Sequence, residues 1–319
     1  LIYRNSIENL FGQWDGFSIG RNTTTRCFEI HTVGFIMDFY KFASKNMITP
    51  QQKFFLVDSK IHTVASSACV LPPPDKHVYE VFRVISGVPL FLEDHLERLK
   101  NSISGEDFIW DLQHIANDIN LLLQLNQFAT GNIRIILWIE GEQTHSMLFY
   151  DKHEYPDEKM FGEGITIGIL ERERFEPNKK VFDPVMRKEA SSLIENNRFY
   201  EVLLKTADEY ITEGSRSNIF LIKDETIYTP PSQQVLEGVT RKKVISIIQE
   251  KKLKFEEKMI HVKELPDYES VFLTGTSRRV LPVKKIEPFP FVYQADHQLI
   301  RLIGTEFISL CDDYIASKI

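Results

Sequence analysis

The chain has 319 residues, 43% of them hydrophobic and 26% charged, the balance of an ordinary globular protein with material for one or two domains. Its net charge of −7 argues against a nucleic-acid or anionic-membrane partner, and no apolar run approaches the roughly 20 residues of a membrane-spanning helix. Cys27, Cys69 and Cys311 are far apart and match no metal spacing, so no metal site is expected and a reducing cytoplasm is the expected compartment.

Residues 1–52 form an N-terminal extension without clean periodicity. Three readings stand for it: a genuine extension, an organellar leader, or upstream sequence ahead of a start at Met47. Arg4, Arg21 and Arg26 suit a leader, whereas Glu8, Asp15 and Glu29 do not. From Lys53, KFFLVDSKIHTV predicts two short strands about an Asp58-Ser59 turn, and the Pro72–Pro74 run can continue neither strand nor helix. HVYEVFRVISGVPLFLEDHLERL then predicts a strand, a turn at Ser86-Gly87, a short strand and a helix from about Glu93. Residues 106–127 predict a helix whose stripe of Ile109, Leu112, Ile115, Ile119 and Leu122 is core. GNIRIILWIE and SMLFY predict two paired strands. Arg134 in the first needs a partner, because an unpaired buried charge is costly.

Residues 152–160 are polar, contain Pro156 and read as a linker between a smaller α+β domain at 53–151 and a larger α/β domain at 161–319. ITIGILERE predicts a strand, followed by Pro177-Asn178-Lys179-Lys180-Val181 and a helix to about Asn197. Neighbouring residues of an extended segment face opposite ways, so only one of Lys179 and Lys180 can enter a common site. Tyr210–Gly238 is the densest stretch. It predicts a strand, a tight turn holding Glu213 beside Gly214, Ser215, Ser217 and Asn218, and a hairpin of Ile219–Ile222 with Thr226–Thr229. Gly238-Val239-Thr240 then leads into a helix carrying Val244, Ile247 and Ile248, with Thr240 placed as N-cap, and a glycine turn opening a helix is an anion site. Leu253–Val262 predicts a helix end and a strand. Ser270–Ile286 predicts strand, turn, strand, and the hydroxyl-rich turn with Gly275, Thr276 and Ser277 makes a second anion nest. Ala295–Ser317 predicts an amphipathic helix packed through Leu299, Leu302, Ile303 and Phe307.

The ordered elements T-E-G-S-R-S-N-I-F, Y-T-P-P and L-E-G-V-T-R resemble the signature of the class IV (fold type IV) pyridoxal-phosphate enzymes. That family holds branched-chain and D-amino-acid aminotransferases and aminodeoxychorismate lyase. The segments Tyr79–Val84, Gly87–Phe91 and His95–Leu99 are similar to further elements of the family in the same order. The resemblance implies an α/β (α+β) fold of two domains with pyridoxal 5'-phosphate between them, and a homodimer. It puts Lys180, rather than Lys179, at the position of the Schiff-base lysine. It implies that Arg98, Gly238, Val239, Thr240 and Thr276 hold the phosphate, and that Glu213, with Ser217 and Asn218 beside it, faces the pyridine nitrogen. Ser277 lies toward the substrate. Arg134 either binds a substrate carboxylate or makes a structural ion pair. The implied activity is amino transfer between an amino acid and a 2-oxo acid. The alternatives are a carbon–carbon lyase on the same cofactor and a non-catalytic homologue. The stretch Leu71–Val78 departs from the family's glycine-rich segment, and neither a Y-x-R nor an R-x-H pattern is present, which leaves the amino donor and its stereochemistry open.

Overall fold

The computed structural model describes residues 50–64, 77–105 and 111–319. Met47 with the rest of residues 1–49, the Pro72–Pro74 run and Ile109 lie outside the described residues.

A six-stranded antiparallel sheet is built first, in the order β2-β1-β6-β5-β3-β4. Its strands are β1 (Phe54–Val57), β2 (Lys60–Thr63), β3 (Val78–Ile85), β4 (Val88–Pro89), β5 (Gly131–Glu140) and β6 (Gln143–Asp151). Asp58 and Ser59 take left-handed φ angles of 47° and 61°, which short polar side chains tolerate and a β1–β2 hairpin requires. Two helices cover one face, α1 (Leu92–Ile103) and α2 (Leu112–Asn126). The α2 stripe of Ile115, Ile119 and Leu122 is fully buried against Phe82, Ile133 and Leu148. The helix begins at Leu112, later than the spacing predicts, because the Asp111 side chain caps it by accepting from Gln113 N. The opposite face of the sheet carries Phe55, Tyr79, Ile136 and Phe149, with Phe182 packed on them.

The second sheet has nine strands in the order β12-β11-β10-β14-β15-β7-β8-β9-β13. They are β7 (Ile165–Glu171), β8 (Glu201–Lys205), β9 (Tyr210–Gly214), β10 (Asn218–Lys223), β11 (Thr226–Thr229), β12 (Lys254–Glu257), β13 (Ile260–His261), β14 (Ser270–Gly275) and β15 (Arg279–Ile286). Four strands separate β9 from β10 in this order, yet only Ser215–Ser217 join them in the chain. Five strand spacings span about 24 Å in a flat sheet, while four Cα steps reach at most about 15 Å. The sheet is therefore curled, and a Gly214–Ser217 bridge draws its two sides together. Residue alternation divides the strands between two cores. Ile219, Leu221, Val271 and Leu273 face inward. Phe220, Ile222 and Phe272 face the outer helices α5 (Val239–Glu250) and α6 (Gln298–Ala316). Burial on both faces is why IFLI is apolar without alternation, and each such side chain contributes roughly 1.5–3 kcal/mol.

The remaining helices are α3 (Glu158–Glu163), inside and just beyond the expected linker, and α4 (Pro184–Asn197). Three local expectations are corrected. Gly238, rather than Thr240, is the N-cap of α5. The segment after α5 forms two short strands, β12 and β13, rather than a helix end and one strand. In α6, Leu302 points outward at 36% exposure while Ile300 is buried.

Candidate active site

Lys180 sits where the two sheets' elements meet. Its segment adds to the edge of β3 through a Val78–Val181 bridge, with Tyr79 N donating to Lys180 O at 3.1 Å and Phe182 N donating to His77 O at 2.9 Å. Lys180 N donates to Ser102 Oγ on α1 at 3.0 Å, and the half-buried side chain brings Nζ 5.0 Å from the centre of the Tyr79 ring. Burial, then the Arg98 guanidinium, pull the ammonium down to about 8. Lys179 faces away and pairs with Glu176 at 3.0 Å. The two neighbouring lysines therefore have different surroundings, as extended backbone demands.

Arg98 is buried rather than a surface residue. Glu80, fully buried on β3, accepts from Arg98 Nε at 2.8 Å, Arg98 Nη2 at 2.6 Å and Val81 N at 2.7 Å, and lies 3.2 Å from His95 Nδ1. Burial alone would raise the Glu80 carboxyl, but Arg98, Lys180 and His95 outweigh it and hold it well below the carboxylate range. The outer nitrogen Arg98 Nη1 donates to Glu237 O at 3.2 Å, which ties α1 to the turn before α5. Among the described residues no side chain caps α5, so its first-turn N–H groups remain available to an anion. A cleft of about 270 Å³ opens here, lined among others by Arg83, His95, Val239, Thr240, Thr276 and Arg279. Lys180 and Glu213 do not line it. The cleft belongs to the helix-terminus end of the cluster. Thr276 reaches this end from the β14–β15 turn, with Oγ1 donating to Val81 O at 3.4 Å.

Glu213 is buried at the end of β9. Its Oε2 accepts from Asn218 Nδ2 at 3.3 Å and Leu236 N at 3.2 Å. Its Oε1 lies 2.5 Å from Arg174 Nε but out of line, and it accepts no hydrogen bond among the described residues. Burial pushes this carboxyl up against the opposing pull of Arg174. Asn218 is itself held by donation to Leu236 O at 2.8 Å. A Cβ at Gly238 would lie 2.1 Å from Asn218 Oδ1, and one at Gly214 would lie 2.1 Å from Ser217 Oγ. A Cβ at either place would push that side chain from its position. Ser217 is turned to Glu201 Oε2 at 3.4 Å, part of a buried group in which Ser215 Oγ donates to Glu201 Oε1 at 2.6 Å and Arg278 Nη2 pairs with Oε2 at 2.8 Å.

The structure thus gathers Lys180 and Arg98 with Tyr79 and Glu80, carries Glu213 and Asn218 alongside, and puts Gly238, Val239, Thr240 and Thr276 at the anion end. Ser277 is buried, and its Oγ accepts from Asn132 Nδ2 at 2.8 Å. Arg134 makes the ion-pair arrangement, with Nη2 2.7 Å from Asp151 and the guanidinium 5.6 Å from the Tyr79 ring centre. Sequence reasoning missed Tyr79, Glu80, Arg174 and Arg187. One signal was legible for Glu80: an acid inside an apolar strand, beside a helix carrying His95 and Arg98 at i and i+3.

The residues fit pyridoxal 5'-phosphate chemically. A half-buried lysine with a lowered ammonium, a buried carboxylate oxygen without a hydrogen bond, and an uncapped helix terminus beside a buried arginine match its aldehyde, pyridine nitrogen and phosphate.

The architecture is the mixed helix-and-sheet fold of the class IV enzymes. The branched-chain amino acid aminotransferase from Escherichia coli matches it with a TM-score of 0.71 at 18% identity, over 82% of this chain and 95% of that one. A putative 4-amino-4-deoxychorismate lyase from Legionella pneumophila matches with a TM-score of 0.63 at 22% identity, over 75% and 91%. Residues 77–286, about two thirds of the chain, match the family model described as amino-transferase class IV. The chain belongs to that family and is an enzyme of its class. It is 26% identical over 235 residues to the D-alanine aminotransferase of Bacillus licheniformis, covering 66% of this chain and 78% of that protein. It is 25% identical over 229 residues to a probable branched-chain-amino-acid aminotransferase of Rickettsia bellii, covering 66% and 78%. Among the described residues, no helix is long and apolar enough to cross a membrane.

Proposed function

We propose that the protein is a pyridoxal-phosphate-dependent aminotransferase with Lys180 as its covalent lysine. The observation that carries this reading is the Lys180 amine, lowered to about 8 between Tyr79 and the Arg98–Glu80 pair. When bound, the cofactor supplies an aldehyde for the lysine and an electron-withdrawing ring for the substrate's Cα electrons. The chain's own residues do the rest. Arg98, the α5 terminus at Gly238-Val239-Thr240, and Thr276 bind the phosphate. Glu213 would hold the pyridine nitrogen protonated, with Asn218 and Leu236 N orienting its carboxylate. The Lys180 amine, about half of it unprotonated at pH 8, takes and returns the proton at the substrate's Cα. Ser277 and Arg134 border the substrate side, with Asp151 dividing Arg134's charge.

The smaller domain is assigned to 53–151 and the larger to 161–319, supported by β6 ending the first sheet at Asp151 and β7 opening the second at Ile165. The family resemblance also implies a homodimer. Amino transfer is favoured over the lyase alternative by the aminotransferase relatives, and formation of an amino acid from an added 2-oxo acid separates the two.

The test is an absorbance spectrum of the protein with added pyridoxal phosphate, beside K180A and K179A. The expected result is a visible-edge band in the wild type and K179A that borohydride abolishes, and that is missing in K180A. No band in the wild type overturns the reading. A band kept by K180A and lost by K179A shifts the covalent lysine by one residue.

A further inference from the structure

Arg187 donates to Tyr79 and has no carboxylate at ion-pair distance among the described residues. It projects from the first turn of α4, next to the buried Met186. The helix register is fixed there by Asp183, whose side chain accepts from Met186 N at 2.9 Å. Arg187 Nη2 donates to the Tyr79 hydroxyl at 3.1 Å. Its Nη1 is buried and has no hydrogen-bond partner, and Arg187 makes no ion pair with an acid among the described residues. Its neighbours differ in this respect. Arg134 has Asp151, Arg174 has Glu213, and Arg98 has Glu80. Burial, together with the cations Arg216, Arg174 and Arg134, pulls the Arg187 guanidinium down to about 10. A guanidinium left in this state is costly unless an anion arrives to satisfy it.

The Tyr79 hydroxyl completes the geometry. It accepts from Arg187, and in the phenol form, below its midpoint of about 7, its own proton is free to point elsewhere, while the same ring lies 5.0 Å from Lys180 Nζ. Two adjacent donors, Arg187 Nη1–H and Tyr79 O–H, match the two oxygens of a carboxylate. We propose that Arg187 and Tyr79 form a two-donor fork that binds a carboxylate of the substrate next to Lys180. The proposal rests on the aminotransferase reading only for naming that carboxylate as the substrate's. It also gives Arg187 a role that the strand residue Arg134, already paired, does not need to fill.

The test is calorimetric binding at about pH 6, where Tyr79 keeps its proton, of two unreactive acids to the pyridoxal-phosphate-treated protein: 4-methylvalerate, with one carboxylate, and glutarate, with two. Spectra before and after borohydride are taken on the same samples. R187Q weakens binding about 10- to 100-fold, the range for losing a charged hydrogen-bond donor, and Y79F weakens it less. R187K, which keeps the charge but not the fork, recovers part of the loss and guards against a folding defect in R187Q. Equal weakening of both acids marks the fork as the site of the carboxylate common to all amino acids. Weakening of glutarate alone marks it as reading a side-chain carboxylate. Either outcome supports the fork. Unchanged affinity in folded R187Q, a loss carried by R134Q instead, or a wild type that binds neither acid overturns it. A wild type without the borohydride-sensitive band sinks the aminotransferase reading, while the comparison of R187Q with wild type still decides the fork.

Discussion

Removing Glu80 separates what the buried ion pair does for folding from what Arg98 does for an anion. Glu80 is wholly buried and satisfies two Arg98 nitrogens, and it also accepts from Val81 N. In E80A the Arg98 guanidinium keeps its contacts to Glu237 O and His95 Nδ1 but no anion, and remains shut away from water. Breaking a buried pair from one side costs about 3–5 kcal/mol, a large part of a typical domain's stability of about 5–15 kcal/mol. The double variant E80L/R98M removes both charges and fills the space with apolar atoms, so it recovers most of that loss. The assay is urea unfolding without cofactor, comparing midpoints at unchanged slope, with cofactor affinity measured separately. Stability returns in the double variant, whereas the proposed role of Arg98 as phosphate cation predicts that cofactor affinity stays low. A double variant as unstable as E80A would refute the reasoning, since the stranded charge would then not be the cause. The pH dependence has a definite sign. The folded-state Glu80 carboxyl is held down, so its contribution is complete above the unfolded carboxylate value of about 4.3. It is lost as pH falls below that value toward the folded one. E80L/R98M therefore shows a shallower acid limb than wild type.

Two further outcomes follow from the same geometry. G238A puts a methyl 2.1 Å from Asn218 Oδ1. Asn218 then swings off Glu213 and Leu236 O at a cost of about 1–3 kcal/mol, read as a lower melting temperature and weaker cofactor binding, and an unchanged pair of values would contradict it. The Lys180 ammonium at about 8 means that capture of pyridoxal phosphate speeds up through pH 8 and then levels. Because the Tyr79 phenolate supports the ammonium, Y79F moves that midpoint lower. A wild-type midpoint near the ordinary lysine value of about 10.4 would show that the amine is solvated.

Much of this was legible in the residues before any coordinates. The longer strands, such as β5, β10, β14 and β15, followed from their apolar runs, whereas short polar strands such as β12 and β13 carry no such signal. Lys180, Glu213 and the α5 terminus stood in ordered motifs. The nine-stranded sheet's closure was not legible, since it depends on which strands pair across β14, β15, β7 and β8. Thr240 looked like an N-cap because threonine favours that position, but the backbone turns helical at Val239, with Gly238 extended as the N-cap. Leu302 fell on the right helical spacing, yet the packing of α6 against β15 buries Ile300 instead. Arg187 lies in MRKEASS, which reads as a solvated helix face, and only the approach of α4 to Tyr79 changes its meaning.

The charged groups of this site are distributed so that each titrating member is set by a different element. Arg98 comes from α1 and is fixed by Glu80 of β3. Glu213 comes from β9, faces Arg174 just past β7, and is oriented by Asn218 of β10. Lys180 comes from the short segment before α4 that adds to β3. An arrangement of this kind exists only in the assembled fold, because each partner is distant in sequence. Arg98 pairs with Glu80 and Arg174 with Glu213, and the positive field at Tyr79 comes first from Arg187 and Lys180, with Arg174 and Arg134 adding to it. That field borders Tyr79, which is why burial fails to raise the phenol and the surrounding cations bring it to about 7 instead. A site with this sign is prepared for an anionic reactant, and Lys180 and Arg187, neither of them ion-paired to an acid among the described residues, have different work: one amine that can lose its proton, and one guanidinium that cannot.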